Sequence, residues 1–514
     1  MSSKMQDILK SRYLDVSENG RKILNICSMF FDETPLYILV KLMHKDELEI
    51  MDMLQELEDK FILTEALGEN NINLKFTHQK LREFIYSNQS MARKKILHNK
   101  IGNIFEKSLS GNKNDLNIYY KLIYHFSNAG NYVKKLKYIM KSLNVYLGFS
   151  HELFPVLYYN NTKYSSLYFS DEKALNSMNK TEKLLNKIKS QTDSKETTLL
   201  EITFLHMKGR YLIRVGEYKE GTSIIKSMID KALQIENVNY ALEGYKQMIY
   251  YCIQTYDVKD MILYVNLALD IAVSEAYEDE KAVLFRLKAL YNNMCGNYTE
   301  AENLLNKSID ILERNDSVSD KYALNIAAAY NYIGEIRRYS TKFPQAIDYY
   351  NKAIKICEKK KITSTSAIFN INAGEAAFDM GNYTLAKEYF SRSLKIYNHF
   401  DLVWGRSVAE AFMSLIKIDE GNFDAALNYL KAAHTHSEML KSPHEIGLVY
   451  SIKASIRIKM MENKGLNSIF QKYLCQNIDY YCKSGIEYLK RSLDYYEIDV
   501  LLKLKSKAES TDIK

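Results

Sequence analysis

Residues Gly296-Asn297-Tyr298-Thr299-Glu300-Ala301, Gly381-Asn382-Tyr383-Thr384-Leu385-Ala386 and Gly421-Asn422-Phe423-Asp424-Ala425-Ala426 are three copies of one pattern. Each places a glycine, an aromatic and a small residue between two stretches of helical character. Gly130-Asn131-Tyr132 and Gly216-Glu217-Tyr218 begin the same way, and Thr341-Lys342-Phe343-Pro344-Gln345-Ala346 keeps all but the glycine. Tyr256-Asp257-Val258 with Met261 is a degenerate copy. The turn positions 216, 256, 296, 341, 381 and 421 are separated by 40, 40, 45, 40 and 40 residues. A fixed period of this size predicts helical hairpins that cannot bury their apolar faces alone and therefore stack.

The residues around each turn fit that reading. The first helix of a unit carries a small residue, at Gly209, Ala289, Gly334, Gly374 and Ser414. The second alternates large and small, as in Tyr350/Ala353, Phe390/Ser393 and Leu430/Ala433. Small residues let paired helices approach, and the aromatic fills the gap to its neighbour. The pattern resembles the tetratricopeptide repeat (TPR), in a 40-residue form with longer helices, and the resemblance implies a right-handed superhelical solenoid. Six units are clear over about 197–435, with weaker ones near 117–145 and 150–190. A final unit runs from His444 through Met460 and resumes from Asp479 through Tyr496, around an insertion at 463–478. Leu466, Ile469, Phe470, Tyr473 and Leu474 in that insertion follow the spacing of an amphipathic helix.

The first hundred residues read differently. Ser17 precedes an apolar face at Ile23, Leu24, Ile26, Cys27 and Phe30, which predicts a helix over about 18–30. Pro35 can open a second helix through Met43, and Asp46-Glu47 a third with Leu48, Met51, Leu54 and Leu57 on its inner face. Phe61-Ile62-Leu63-Thr64 and Asn73-Leu74-Lys75-Phe76 flank Gly68-Glu69-Asn70-Asn71 as a β-hairpin, and a long helix resumes at Gln79. Three helices, a hairpin and a helix make a winged helix. Phe76-Thr77-His78, Arg82-Glu83-Phe84-Ile85-Tyr86 and Arg93 through His98 resemble the winged-helix segment that follows the nucleotide-binding domain in bacterial STAND/AAA-type ATPase regulators. The resemblance covers about residues 15–110, and implies for His78 a contact with nucleotide phosphate. No GxxxxGK[ST] occurs in the chain, so no loop of backbone N–H groups is expected to cradle a phosphate. The chain thus resembles the winged-helix plus TPR part of such a regulator, without the P-loop domain.

Composition bounds the rest. Only 4 of 514 residues are proline and 19 glycine, while 46% are hydrophobic and 26% charged, which predicts a helical, folded, all-α protein apart from one small wing. No apolar run approaches the roughly 20 residues of a membrane span. The amino terminus lacks the apolar core of a secretory signal, so a cytoplasmic protein is expected, and the resemblance to bacterial regulators implies a bacterial one. Lys and Arg number 70 against 63 Asp and Glu, a net charge of +7 that is dispersed rather than blocked. The six cysteines form no CxxC, and buried small hydrophobes are expected. His434, His436 and His444 are expected as solvated loop-edge residues, because i and i+2 diverge on a helix. His78, setting the resemblance aside, is expected to pack at a strand–helix corner.

The expected organisation is a winged-helix-like domain at 1–110, degenerate helical repeats at 111–196, a TPR array at 197–440, a final repeat with a helical insertion at 441–500, and a polar tail at 501–514. No catalytic constellation, metal site or cofactor site is expected, and the chain is read as non-enzymatic. The leading reading is an interaction protein in signal transduction or transcriptional regulation. It would bind a protein or peptide partner, such as a separate ATPase or kinase, in the concave repeat groove. Alternatives are a DNA-binding, peptide-responsive regulator and a split or truncated remnant of a STAND ATPase regulator. Taking the small residue of each first helix as reference, the groove lining is expected at His206, Arg210, Arg286, Asn293, Asn331, Glu335, Arg338 and Glu375. Such a lining suits an extended peptide with carboxylates, since arginine pairs bidentately with them. DNA is not the expected partner: Lys45 to Lys60 holds seven acids against two lysines.

Overall fold

The structure, a computed structural model, describes residues 3–67, 72–110, 115–147, 171–192, 194–360, 362–398 and 404–511. These residues divide into two compact units, 3–147 with 171–201, and 202–511.

The first unit opens with α1 (Ser3–Leu14), which has no apolar stripe; of its side chains Leu9 is fully buried. In α2 (Glu18–Cys27) the Ser17 hydroxyl accepts from the Gly20 N–H at 3.1 Å, closing the free amino end of the helix. A short strand β1 (Glu33–Pro35) follows, then α3 (Leu36–Met43) and α4 (Glu47–Asp59). Asp46 accepts from the Glu49 N–H at 2.8 Å while the Glu49 carboxylate accepts from the Asp46 N–H, a reciprocal cap that starts α4. β2 (Leu63–Leu67) and β3 (Ile72–Phe76) form the hairpin, and β1 joins the far edge of β3, giving an antiparallel sheet in the order β1-β3-β2. The strand β1 escapes the sequence pattern because three residues are too few to show alternation. The turn at 68–71 lies outside the described residues. Helix, strand, helix, helix, strand, strand is the element order of a winged helix.

Two expectations are corrected here. Leu48 is 78% exposed, and the inner face of α4 is Ile50, Leu54 and Leu57. These stand at i, i+4 and i+7, and Leu48 lies about 200° around the helix from Ile50. The long helix after the hairpin is two, α5 (Gln79–Asn88) and α6 (Met91–Lys107). Gln89 turns extended between them, donating its amide to the Asn25 carbonyl and the Ser28 hydroxyl, and Ser90 caps α6.

The boundary expected at 110 does not divide the chain. α7 (Leu116–Ala129) packs on α6, where Gly102 leaves room for the Phe126 ring; a β-carbon there would sit 2.7 Å from it. α8 (Tyr132–Leu147) and α9 (Asp171–Lys189) complete the unit. The weak repeat expected at 150–190 falls partly outside the described residues.

The second unit is built of helix pairs. The first helices are α10 (Lys195–Arg214, of which the residues from Ile202 belong here), α12 (Val238–Thr255), α14 (Glu278–Met294), α17 (Ala323–Tyr339), α19 (Thr363–Asp379), α21 (Arg406–Asp419) and α23 (Pro443–Glu462). Their partners are α11 (Tyr218–Gln234), α13 (Val258–Ser274), α15 (Tyr298–Leu312), α18 (Phe343–Lys359), α20 (Tyr383–Tyr397), α22 (Phe423–Leu440) and α25 (Ile478–Arg491). The short α16 (Asp316–Lys321) falls in the one period that is 45 rather than 40 residues long. One apolar core runs through the pairs. Its geometry depends on the small residues: a β-carbon added to Gly334 would lie 2.6 Å from the Tyr350 ring, and one added to Gly374 would lie 2.7 Å from Phe390. In the first six pairs the turn residue is left-handed, glycine at 216, 296, 381 and 421 but Tyr256 (φ 57°) and Thr341 (φ 58°) in the two irregular copies.

The carboxyl-terminal part departs from expectation. The insertion forms α24 (Lys464–Phe470) followed by turns, with Leu466, Phe470 and Leu474 buried against α22 and α23. The second helix of the last pair stops at Arg491, and Tyr495-Tyr496 open a further helix, α26 (Tyr495–Thr511). Residues 501–511 are therefore helical rather than a tail. Leu501 and Ala508 are buried and Leu504 packs on the core, an i, i+3, i+7 stripe masked by the lysines and polar residues between them. Among the described residues no helix is long and apolar enough to cross a membrane.

Candidate functional site

The first helices of the second unit enclose a cavity of about 210 Å³. Its walls come from α14, α17 and α19, from the start of α23, and from the turn that joins α25 to α26. The repeat geometry puts every fourth or so residue of each first helix on this side, and the period of 3.6 explains why Asn331, Glu335 and Arg338 share one face.

Glu335 is held by three side-chain amides. Asn331 donates at 2.9 Å, Asn293 at 3.2 Å and Asn372 at 3.4 Å to its two oxygens. Burial pushes its carboxyl up to about 7, against the Asn331 hydrogen bond that favours the ion. One turn on, Arg338 donates to Asp379 at 2.7 Å and to Glu497 at 2.9 Å, and lies 3.5 Å from Glu375. Its guanidinium covers the Tyr496 ring at 5.1 Å, and the Tyr496 hydroxyl donates to Asp379 at 3.1 Å. Burial pushes Glu497 up to about 8 and raises Glu375, with Arg338 pulling both the other way.

His444 caps the far side. Its Nε2 donates to Asp494 at 3.0 Å, and its ring stacks on Tyr256 with centroids 5.8 Å apart. Burial disfavours the imidazolium, but the Asp494 hydrogen bond and the charges of Asp494, Glu375 and Glu445 outweigh it and raise the group to about 9. Glu445 accepts from the Gly405 N–H at 2.8 Å and from the Ser407 hydroxyl. Burial raises its carboxyl. The charged residues on the cavity wall are therefore Glu335, Glu375, Glu445 and Asp494 against Arg338 and His444. Three buried polar atoms on the wall have no hydrogen-bond partner among the described residues, the Tyr350 hydroxyl, Asn293 Oδ1 and Glu375 Oε1, the last of which faces Arg338 at 3.5 Å.

Of the eight residues expected in the groove, Asn293, Asn331, Glu335, Arg338 and Glu375 meet at this cavity. His206, Arg210 and Arg286 do not line it. His206 and Arg210 sit on α10, half-buried, where burial and the charges of Arg210 and Lys246 hold His206 well below its ordinary value. Arg286 is 1% exposed and lies behind the Tyr332 ring, 6.0 Å from its centroid. The lining is also not an open groove. Asn331, Arg338 and Glu375 are buried, and Tyr496 and Glu497 close over Arg338. The wall is acid-rich, the opposite of what a carboxylate-bearing peptide requires.

Tyr256, His444, Glu445, Asp494, Tyr496 and Glu497 escape the sequence reading. One signal exists for Tyr256: it occupies the turn position that glycine holds in five other copies. The remaining histidines are also corrected. His434 and His436 lie on α22, accepting from Lys453 at 3.1 Å and meeting Glu410 at 2.7 Å respectively, so neither is a solvated loop residue. His78 is exposed at the start of α5 rather than packed. The buried histidines of the first unit are instead His98 and His125, whose Nδ1 atoms share a hydrogen bond at 2.9 Å.

Family models described as tetratricopeptide repeat match residues 280–359 and 368–400. No curated protein matches in sequence. Among solved structures, a Signal Transduction ATPase with Numerous Domains (STAND) protein with a tetratricopeptide repeat sensor, from Pyrococcus horikoshii, superposes with a TM-score of 0.53 at 13% identity, covering 98% of this chain and 68% of that one. A Rap protein complexed with Competence and Sporulation Factor gives a TM-score of 0.43 at 13% identity, over 74% of this chain and 99% of that one. The apo quorum sensor NprR from B. thuringiensis gives 0.37 at 15% identity, over 65% and 97%. With the 40-residue hairpins, the small-residue contacts and the matched models in agreement, this chain carries tetratricopeptide repeats and is similar in fold to the repeat-bearing STAND protein.

Proposed function

We propose that this protein is a non-enzymatic interaction protein of signal transduction or transcriptional regulation, and that its repeat array holds a protein or peptide partner at the inner cavity. The observation that carries this reading is the cavity itself, walled by the first helices of three successive pairs and by α23, with polar atoms turned inward. A volume of about 210 Å³ is below the roughly 300–1,000 Å³ of pockets that enclose whole drug-sized ligands, so a side chain or chain end of the partner enters rather than an extended segment. The rival reading, a DNA-binding regulator, is weakened by α4: Asp46, Glu47, Glu49, Asp52 and Asp59 are exposed on the helix that would enter a major groove.

The test is a tagged purification from native lysate with the wild-type chain and with Glu335→Gln, read by mass spectrometry. A stoichiometric partner that is lost in the variant while the melting temperature holds supports the reading. A partner retained by Glu335→Gln and by Asn293→Leu moves the binding surface off this cavity.

A further inference from the structure

Most polar groups around the cavity are spent on one another. Arg338 is committed to three carboxylates and His444 to Asp494. Glu335 has amide donors and, among the described residues, no cation within ion-pair distance, Arg338 and His444 acting on it from farther off. The Tyr350 hydroxyl is wholly buried, Asn293 is 6% exposed, and the Tyr350 hydroxyl and the Asn293 carbonyl oxygen have no hydrogen-bond partner among the described residues. A carboxylate and a carbonyl can only accept hydrogen bonds, and a phenol can accept as well as donate. The groups left over on this wall are therefore mainly acceptors, and the wall carries four acids, Glu335, Glu375, Glu445 and Asp494, against the two cations Arg338 and His444.

The walls between those acceptors are aromatic. Tyr256, Tyr298, Tyr332, Tyr339 and Trp404 line the same space. Aromatic faces with carboxylates behind them attract a desolvated cation, which an anion or a neutral group does not reproduce. An ammonium group brings three donors and a unit of positive charge, which is the complement of what the wall leaves unmet.

We propose that the cavity is a recognition site for a protonated amine, with Glu335, Asn293 Oδ1 and the Tyr350 hydroxyl as its acceptors. This rests on the reading of the array as a partner-binding module and names the chemistry of the group that enters. The ammonium is carried either by a small diffusible amine or by a lysine side chain of a peptide; both present the same donors. The raised carboxyl of Glu335 is consistent with this site, since a neighbouring cation would favour its ionised form.

The experiment is calorimetric titration of the full chain with putrescine, with the peptide acetyl-Gly-Lys-Gly-amide, and with glutarate and acetyl-Gly-Gln-Gly-amide as controls. Binding of putrescine or of the lysine peptide, with neither control binding and with affinity at least tenfold weaker in Glu335→Gln, supports the proposal; which of the two binds identifies the source of the amine. Circular dichroism and the melting temperature show whether the variant is folded, and Asn293→Leu provides a second variant that leaves all charges in place. Absence of binding by both amines, or equal binding of glutarate, overturns it. In that event a control that binds, and that Asn293→Leu abolishes, leaves the partner-binding reading standing. If no compound binds and the lysate partner is also retained by both variants, that reading falls as well.

Discussion

Arg338 on α17 donates to Glu497 on α26 at 2.9 Å, across 159 residues of sequence. That contact joins the middle of the repeat array to its last helix. Both side chains are buried, and the same guanidinium also serves Asp379 and Glu375, so one cation offsets three carboxyl groups, of which Glu375 and Glu497 are buried and Asp379 partly so. The closure of the inner cavity depends on this arrangement, because Tyr496, which covers the guanidinium, stands next to Glu497 in the same helix.

Removing Arg338 should therefore be costly. Breaking a buried ion pair from one side leaves an uncompensated charge, at about 3–5 kcal/mol. Arg338→Ala is expected to lower stability by about that much in urea unfolding, and Arg338→Ala with Glu497→Gln to recover part of it. A loss under about 1 kcal/mol would mean the network is solvated in solution.

Tyr256 holds a left-handed backbone where five other copies have glycine, and its ring stacks on His444. The backbone costs roughly 1–2 kcal/mol for a residue with a β-carbon. Tyr256→Ala loses the ring and keeps the strain, whereas Tyr256→Gly loses the ring and relieves it. The glycine variant should be the more stable of the two by about 1 kcal/mol in chemical denaturation. Equal stabilities would contradict the strained turn.

Gly334 lets the Tyr350 ring reach the cavity wall. A β-carbon on Gly334 would lie 2.6 Å from that ring, which is fully buried. Gly334→Ala should destabilise by about 1–3 kcal/mol, as overpacking does. Paired with Tyr350→Leu, its cost should shrink well below the sum of the two single changes.

The His98–His125 pair should make the first unit acid-sensitive. Burial, with a smaller contribution from Lys94, lowers His98 to about 4, and burial with the charges of His98 and Lys121 lowers His125 to about 3. Both values lie below the unfolded histidine at about 6.5, so the unfolded chain binds more protons between these limits. The stability they contribute is present above about pH 6.5 and is lost as pH falls towards 4 and then 3. Urea midpoints from pH 7.5 to 4 should fall, and fall less in a His98→Gln variant. A midpoint that is flat over this range, or equally steep in the variant, would count against the pair.

The exposed acids of α4 should keep the first unit off DNA. Duplex DNA carries a negative charge per about 1.7 Å of axis, and this face would meet it with like charge. No electrophoretic shift is expected at submicromolar protein near 150 mM salt. A shift that persists there and disappears on deleting 1–110 would make the wing a DNA reader.

The repeat, the period and the small-residue contacts are legible in the amino acids because they are local. A helical hairpin with a left-handed turn needs glycine or a tolerated substitute at one position. A close helix pair needs a small residue opposite a large one, so Gly334 and Tyr350, or Gly374 and Phe390, announce themselves at fixed spacing. Five of the cavity residues could be found in the same way, as neighbours of those small residues on one helix face. Their chemistry could not. Whether Glu335 faces arginine, amides or solvent depends on which other helices reach it, and Tyr256, His444 and Asp494 do so only because the stacked pairs bring the end of the array back to its middle. That return is the sum of small rotations from pair to pair, none of which leaves a mark at any single residue. The sequence by itself determined a helical repeat protein with a small sheet at its amino-terminal end. Only the tertiary structure decided that the inner face is closed, acid-rich and lined with unmet acceptors.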